Sequence, residues 1–208
     1  MHEPASVRVA VLTPTLPSRP ELLAEAVASV NAQSLRPVAH LIGVDHEEMG
    51  IGGTLNRLAS SADADWLARL DDDDLIDPSH LETLAARTNE ADILYSWCRI
   101  VPRSTNGSEP PYPSVIGRSG WTPNQTFDPE RLHASNYIPA TALIRKSLWH
   151  ELGGWQRAGY GVAGSPASAE GTEDWDFWLR ALEAGARFLC IPTVTWSYRY
   201  HGGNLWLK

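Results

Sequence analysis

The chain has 208 residues, 43% of them hydrophobic and 20% charged, enough for one globular domain with a sizeable core. Its formal net charge of -8 argues against sequence-independent nucleic-acid binding and against anionic lipid surfaces, which both call for clustered Lys and Arg. No apolar run approaches membrane-spanning length and Met1-His2-Glu3-Pro4 does not read as a signal peptide, so the expected setting is cytoplasmic. Cys98 and Cys190 lie far apart in strand-like surroundings and are expected to be free thiols, which a reducing compartment would keep so.

Val7 to Leu12 reads as a buried strand. Ser18-Arg19-Pro20-Glu21 has capping-box spacing and predicts a helix whose apolar face carries Leu23, Val27 and Val30. His40 to Val44 is a second strand ending at Asp45, and a glycine-rich turn, Gly50-Ile51-Gly52-Gly53, leads into a helix through Asn56 and Leu58. Trp66 to Leu70 is a third strand, followed by a helix through Leu81 and Leu84 and a strand from Ile93 to Val101. Strands alternating with helices predict an α/β fold with a doubly wound, mostly parallel sheet.

Residues 102–126 are rich in Pro, Gly, Ser and Asn and predict a long irregular excursion. Regular structure resumes with Thr141 to Ile144 and a short helix ending at Gly153-Gly154. A stretch of Gly, Ala and Ser from Gly159 to Gly171 precedes an amphipathic helix, with Trp175, Trp178, Leu179 and Leu182 on one face. Arg187 to Ile191 and Thr195 to Tyr200 read as strands, and His201-Gly202-Gly203-Asn204 turns the chain. Among nine tryptophans, Trp121, Trp155 and Trp206 fall in loop-like or terminal contexts, open to sugar stacking as well as to core packing.

Chemistry concentrates where the third strand ends in four carboxylates, Asp71-Asp72-Asp73-Asp74. Neighbouring aspartates at a sheet end repel one another, and a hard divalent cation relieves that repulsion. Strand ends are also where such folds bind ligands, so the block points to a metal-chelated anion such as a diphosphate. The competing reading is a solvated acidic turn before the next helix, with Asp77 as N-cap and Pro78 at the first helical position. A second cluster, Glu173, Asp174 and Asp176, suits a helix N-terminus electrostatically, and Asp174 also has the setting of a general base. His201 is either a solvated residue or a metal ligand. Both the dinucleotide fingerprint and the Walker pattern are missing, which removes the obvious dehydrogenase and NTPase readings.

Taken in order, these pieces resemble the inverting glycosyltransferases of family 2, which have the GT-A fold. The resemblance runs through Val11-Leu12-Thr13-Pro14-Thr15 with Arg19, Ala28-Ser29-Val30-Asn31-Ala32-Gln33-Ser34, Val44-Asp45 and Leu70-Asp71-Asp72-Asp73-Asp74. It continues through Ala142-Leu143-Ile144-Arg145-Lys146-Ser147, Leu152-Gly153-Gly154-Trp155, the segment from Glu173 to Arg180, and Tyr198-Arg199-Tyr200-His201. Three departures fall in the nucleotide pocket: His46 stands where a second aspartate is usual, Leu16-Pro17 where Tyr-Asn is usual, and Leu55 where an arginine is common.

The resemblance implies a single GT-A domain, with residues 1–101 holding the nucleotide-sugar and residues 102–208 forming the acceptor and catalytic half. It implies a donor pocket lined by Thr13, Pro14, Thr15, Arg19, Asp45, Asn56 and Asp71. The donor expected is a UDP-linked sugar held with Mn²⁺ or Mg²⁺, the metal by Asp71, Asp73 and His201. Asp174 would be the base acting on the hydroxyl of an unassigned acceptor, in one inverting displacement. Two other functions stay open on the residues alone: a nucleotidyltransferase of related architecture, against which the glycine-free Thr13 to Arg19 loop counts, and a non-catalytic nucleotide-sugar-binding module.

Overall fold

The computed structural model describes residues 7–45, 49–102, 123–156 and 173–200. Seven strands form one sheet: β1 (Val9–Thr15), β2 (Ala39–Val44), β3 (Trp66–Arg69), β4 (Leu75–Ile76), β5 (Ile93–Pro102), β6 (Ala142–Arg145) and β7 (Phe188–Tyr200). Among the described residues six helices accompany them: α1 (Pro20–Asn31), α2 (Gly50–Ser61), α3 (His80–Ala85), α4 (Pro129–Ala134), α5 (Lys146–Glu151) and α6 (Glu173–Glu183). The strand order is β2-β1-β3-β6-β5-β7-β4. β1, β2, β3, β5 and β7 run one way, whereas β6 and the short edge strand β4 oppose them.

Side chains alternate along each strand, so the sheet has two apolar faces and the core has two halves. Ala10, Leu12 and Leu67 face the half closed by Leu55 and Leu58 of α2, Trp149 of α5 and Phe177 and Trp178 of α6. Val9, Val11 and Ala68 face the half closed by Ala26 and Val30 of α1 and Leu81 and Leu84 of α3. Trp155 is buried in the first of these, against Trp149 and Phe177, and so serves packing rather than an open sugar platform. Trp121, Trp206, most of the 102–126 excursion and all of the 159–171 stretch lie outside the described residues.

Several local expectations give way to tertiary demands. Helix α1 begins at Pro20 with Arg19, not Ser18, at the N-cap position, and a guanidinium has no acceptor with which to cap it; Arg19 pairs instead with Asp72 and Asp73. The glycine-rich stretch at 50–53 is the first turn of α2 rather than a turn before it. Asp77 does not cap α3, which starts at His80; its carboxylate is taken by Arg99 at 2.6 and 2.7 Å. The two strands expected in the C-terminal part are one, β7, whose pairing with β5 shifts register twice around Trp97. Pro192 falls in the irregular part, where it removes a ladder donor and imitates a strand break. Both cysteines are free, Cys98 buried and Cys190 partly so. Among the described residues no helix is long and apolar enough to cross a membrane.

One tight join ties the C-terminal part to α2. Asn56 Nδ2 donates to the Trp155 carbonyl at 2.6 Å, and Asn56 Oδ1 accepts from the Trp155 N–H at 2.9 Å. The chain reaches this bracket through Gly154 at φ 77°, where an added Cβ would lie 2.5 Å from Asn56 Oδ1. Gly154→Ala should therefore destabilise the protein by about 1–3 kcal/mol in urea unfolding, through left-handed strain and loss of the bracket. Wild-type stability in that variant would show that the join is dispensable.

Candidate functional site

Because β1, β2 and β3 are parallel neighbours, their C-terminal ends share one rim of the sheet. That rim carries Thr13, Pro14 and Thr15, then Asp45 just past β2, then the aspartates just past β3. Thr15 Oγ1 donates to Asp72 Oδ2 at 2.6 Å, and Arg19 Nη1 donates to Asp72 Oδ1 at 2.9 Å and Asp73 Oδ2 at 3.2 Å. Thr13 Oγ1 meets His40 Nε2 at 2.9 Å. The Asp45 carboxylate accepts from the backbone N–H groups of Met49 and Gly50 at 3.0 and 2.9 Å, anchoring the start of α2. Asn56 stands apart, both ends of its amide being engaged by Trp155.

Within the block the four aspartates alternate. Asp72 and Asp74 are buried at 3% and 5% exposure, which corrects any reading of Asp72 as a solvent-facing residue. The side chains of Asp71 and Asp73 keep 29% and 14% of their surface. Asp74 is closed off by Arg199, whose N–H donates to Asp74 Oδ1 at 3.0 Å and whose guanidinium donates to the backbone carbonyls of Asp72 and Asp73. Burial and the nearby Asp73 and Asp71 charges hold the Asp74 pKa well above the usual carboxylate range. Arg199, near the end of β7, thus lies beside the block; His201 lies outside the described residues.

The two acidic clusters are joined by Arg69, the last residue of β3 and itself buried. Its Nε and Nη2 grip Asp71 at 2.7 and 3.1 Å, and its Nη1 donates to Glu173 Oε1 at 2.7 Å. Burial alone would lower the Arg69 pKa; the Asp71 and Glu173 charges outweigh it and raise it. Desolvation raises the Asp71 pKa in spite of the opposing pull of Arg69. A lone arginine inside the apolar stretch Trp66-Leu67-Ala68-Arg69-Leu70 was the sequence signal for this bridge, since a buried guanidinium needs carboxylates.

Asp174 follows Glu173 at the start of α6 and is 6% exposed. Its Oδ1 accepts from Asn136 Nδ2 at 3.1 Å and from the Trp175 N–H at 2.7 Å. Oδ2 takes no hydrogen bond from the described residues. Burial first, then the Glu173 charge, push its pKa up to about 7, against the pull of Arg69 and the two hydrogen bonds. Asp176 is different: it pairs with Arg180 at 2.8 Å, and Arg180 also binds the carbonyls of Leu152 and Gly154. Asp176 therefore braces the helix and its neighbouring turn. Asn136, which the sequence did not single out, has no motif around it that marks it.

The family model for glycosyl transferase family 2 matches residues 31–153, more than half of the chain, and this chain belongs to that family. The uncharacterized glycosyltransferase YwdF of Bacillus subtilis (strain 168) is 29% identical over 193 residues, which cover 88% of this chain and 66% of the relative. The crystal structure of S. aureus TarS 1-349 superposes with a TM-score of 0.61 at 16% identity, covering 93% of this chain and 60% of that one. TarS 1-349 in complex with UDP-GlcNAc gives a TM-score of 0.63 at 16% identity, covering 96% and 60%. At that identity the likeness is one of fold, and the fold is GT-A. The chain spans about two thirds or less of the length of these relatives.

Removing the bridging charge should unlock the site. Arg69→Met leaves buried Glu173 and partly buried Asp71 without their counter-charge and should cost about 3–5 kcal/mol in urea unfolding. Adding Glu173→Gln should restore part of that loss. A cost below about 1 kcal/mol would mean that the bridge is not a structural tie.

Proposed function

We propose that this protein is an inverting glycosyltransferase that moves a sugar from a UDP-linked donor to an acceptor hydroxyl, with Asp174 as general base. The observation that carries this reading is the Arg69 bridge, which sets a buried, half-anchored carboxylate beside a carboxylate-lined strand end. Family membership supports the reaction class, and the UDP and UDP-GlcNAc complexes of TarS 1-349 support the donor class. The donor would rest on residues 1–101 and the acceptor on residues 102–208.

The residues present fit a divalent cation. Asp71 and Asp73 supply hard oxygen donors and are the two accessible members of the block. Among the described residues no group of three or more His, Cys, Asp or Glu side chains is arranged to hold a metal. Mg²⁺ and similar ions often take one or two carboxylates and complete their shell with substrate phosphates, which suits this pair. His201, reached from Arg199 through Tyr200, is the proposed third protein ligand. Bound there, Mn²⁺ or Mg²⁺ would offset the charge that grows on the departing diphosphate.

The chain's own residues would do the rest. Thr13, Pro14, Thr15 and Asp45 would line the nucleoside side, and Arg19 would place positive charge beside the diphosphate. Asn56 would act through the Trp155 backbone it holds, not by touching the donor. Asp174 Oδ2 would take the acceptor proton as the acceptor oxygen bonds to the anomeric carbon. The bond to the diphosphate would break on the opposite face, the diphosphate leaving with the electron pair, and configuration would invert. A base near pKa 7 combines a useful ionised fraction at neutral pH with adequate proton affinity.

Two experiments separate donor binding from chemistry. Asp73→Asn should weaken UDP binding in Mn²⁺ by at least about tenfold in calorimetry, whereas unaltered, chelator-insensitive binding would remove the metal role. Asp174→Asn should leave that affinity in place while lowering turnover of a UDP-sugar by about a hundredfold or more. In the wild type, turnover should rise with pH through about 7, because only the ionised carboxylate accepts a proton. A profile that falls across that range would assign the base elsewhere.

A further inference from the structure

Three asparagine amides in this fold make side-chain bonds that can be compared directly. Asn56 uses both ends on the Trp155 backbone, and Asn124 uses both ends on the Cys98 backbone at 2.8 and 3.0 Å. Those two are structural brackets. Asn136 is unlike them. It is 7% exposed, its Nδ2 donates to Asp174 Oδ1, and among the described residues its buried Oδ1 has no hydrogen-bond partner. Among those residues, only Asp174 hydrogen-bonds this amide.

The backbone that carries Asn136 is fixed against α6. Asp128 caps α4 by accepting from the Arg131 N–H at 3.0 Å. The Tyr137 hydroxyl closes the segment by accepting from the Asp128 N–H at 2.7 Å and donating to the Asp128 carbonyl at 2.8 Å. Trp175 Nε1 donates to the Leu132 carbonyl at 2.8 Å, clamping α4 to the residue after Asp174. Asn136 is thus held where its amide reaches the carboxylate and little else.

We propose that Asn136 is the positioning residue of the general base: its amide and the Trp175 N–H both hold Oδ1, so that Oδ2 is the oxygen presented to the acceptor and protonated in the reaction. The inference rests on the reading of Asp174 as the base. Donation to a carboxylate favours its charged form, so Asn136 also keeps the Asp174 titration from rising further. Among the described residues the other charges acting on Asp174 are Glu173 on its own helix and Arg69 from β3, the latter shared with Asp71.

The test is a direct titration of Asp174, which needs no substrate. In protein labelled with ¹³C at the aspartate carboxyls, the Asp174 resonance is the one missing from Asp174→Asn. Its wild-type midpoint should lie at about 7. In Asn136→Ala it should rise by about one pH unit or more, and turnover of UDP-GlcNAc, with water or another acceptor, should be lost more severely below the new midpoint than above it. Asn136→Leu distinguishes donation from packing, because it keeps roughly the same volume, removes the donor and adds no charge. Its shift should match that of Asn136→Ala. If Asn136→Leu titrates like the wild type, Asn136 is a packing residue and the proposal is wrong. Should Asn136→Ala fail to fold, Asn136→Leu carries the same measurement. A wild-type Asp174 midpoint in the ordinary carboxylate range would instead undo the reading of Asp174 as a poised base.

Discussion

A guanidinium buried at the end of a strand cannot be left without counter-charges, because its desolvation costs several kcal/mol. Arg69 meets that demand with two carboxylates from distant parts of the chain, Asp71 beside it and Glu173 at the start of α6. The rim where a donor diphosphate would rest and the helix that carries the proposed base are therefore held in one register by one side chain. The neighbouring ties follow the same logic. Arg19 couples the loop after β1 to Asp72 and Asp73, and Arg199 couples the end of β7 to Asp74 and to the backbone of the block. Three arginines hold a cluster of like charges in a fixed shape, with Asp71 and Asp73 outermost.

The proposed base is built on a different principle. Among the described residues Asp174 pairs with no arginine of its own, and burial together with Glu173 raises its proton affinity. A carboxyl whose folded pKa stands above its unfolded value of about 3.8 binds more protons in the native state across that interval. Its contribution to stability accordingly declines as pH rises from about 4 to about 7 and stays diminished above it. The proposed catalytic group is thus a local liability in the fold, offset by bonds such as the Asp176–Arg180 brace and the Asn56–Trp155 bracket nearby. Strained or unfavourable groups of this kind commonly mark working sites.

The alternation of strands and helices was legible because hydrophobic periodicity is a local property, but the short elements β4 (Leu75–Ile76) and α4 (Pro129–Ala134) carry too few residues to show a period and were not anticipated. Helix starts were less legible: Ser18 and Asp77 have the chemistry of caps, yet Arg19 and Arg99 answer to partners far away in sequence. β7 looked like two strands because Pro192 and a register shift interrupt its alternation without ending it. At the site, the aspartate block, Thr15 and Asp174 could be read from motifs. Asn56 carried a motif too, but its amide turned out to bracket a turn. Asn136 was invisible, since a single asparagine in a loop becomes meaningful only when the fold sets it against a carboxylate.

The proposed division of labour between the two acidic clusters is tested most directly by crystallising the protein with UDP and Mn²⁺ and locating the metal by anomalous scattering. One Mn²⁺ peak is expected between the diphosphate and the Asp71–Asp73 pair, with UDP on the C-terminal ends of β1, β2 and β3 and Asp174 outside the coordination shell. A peak coordinated by Asp174, or UDP seated away from that rim, would contradict that division of labour.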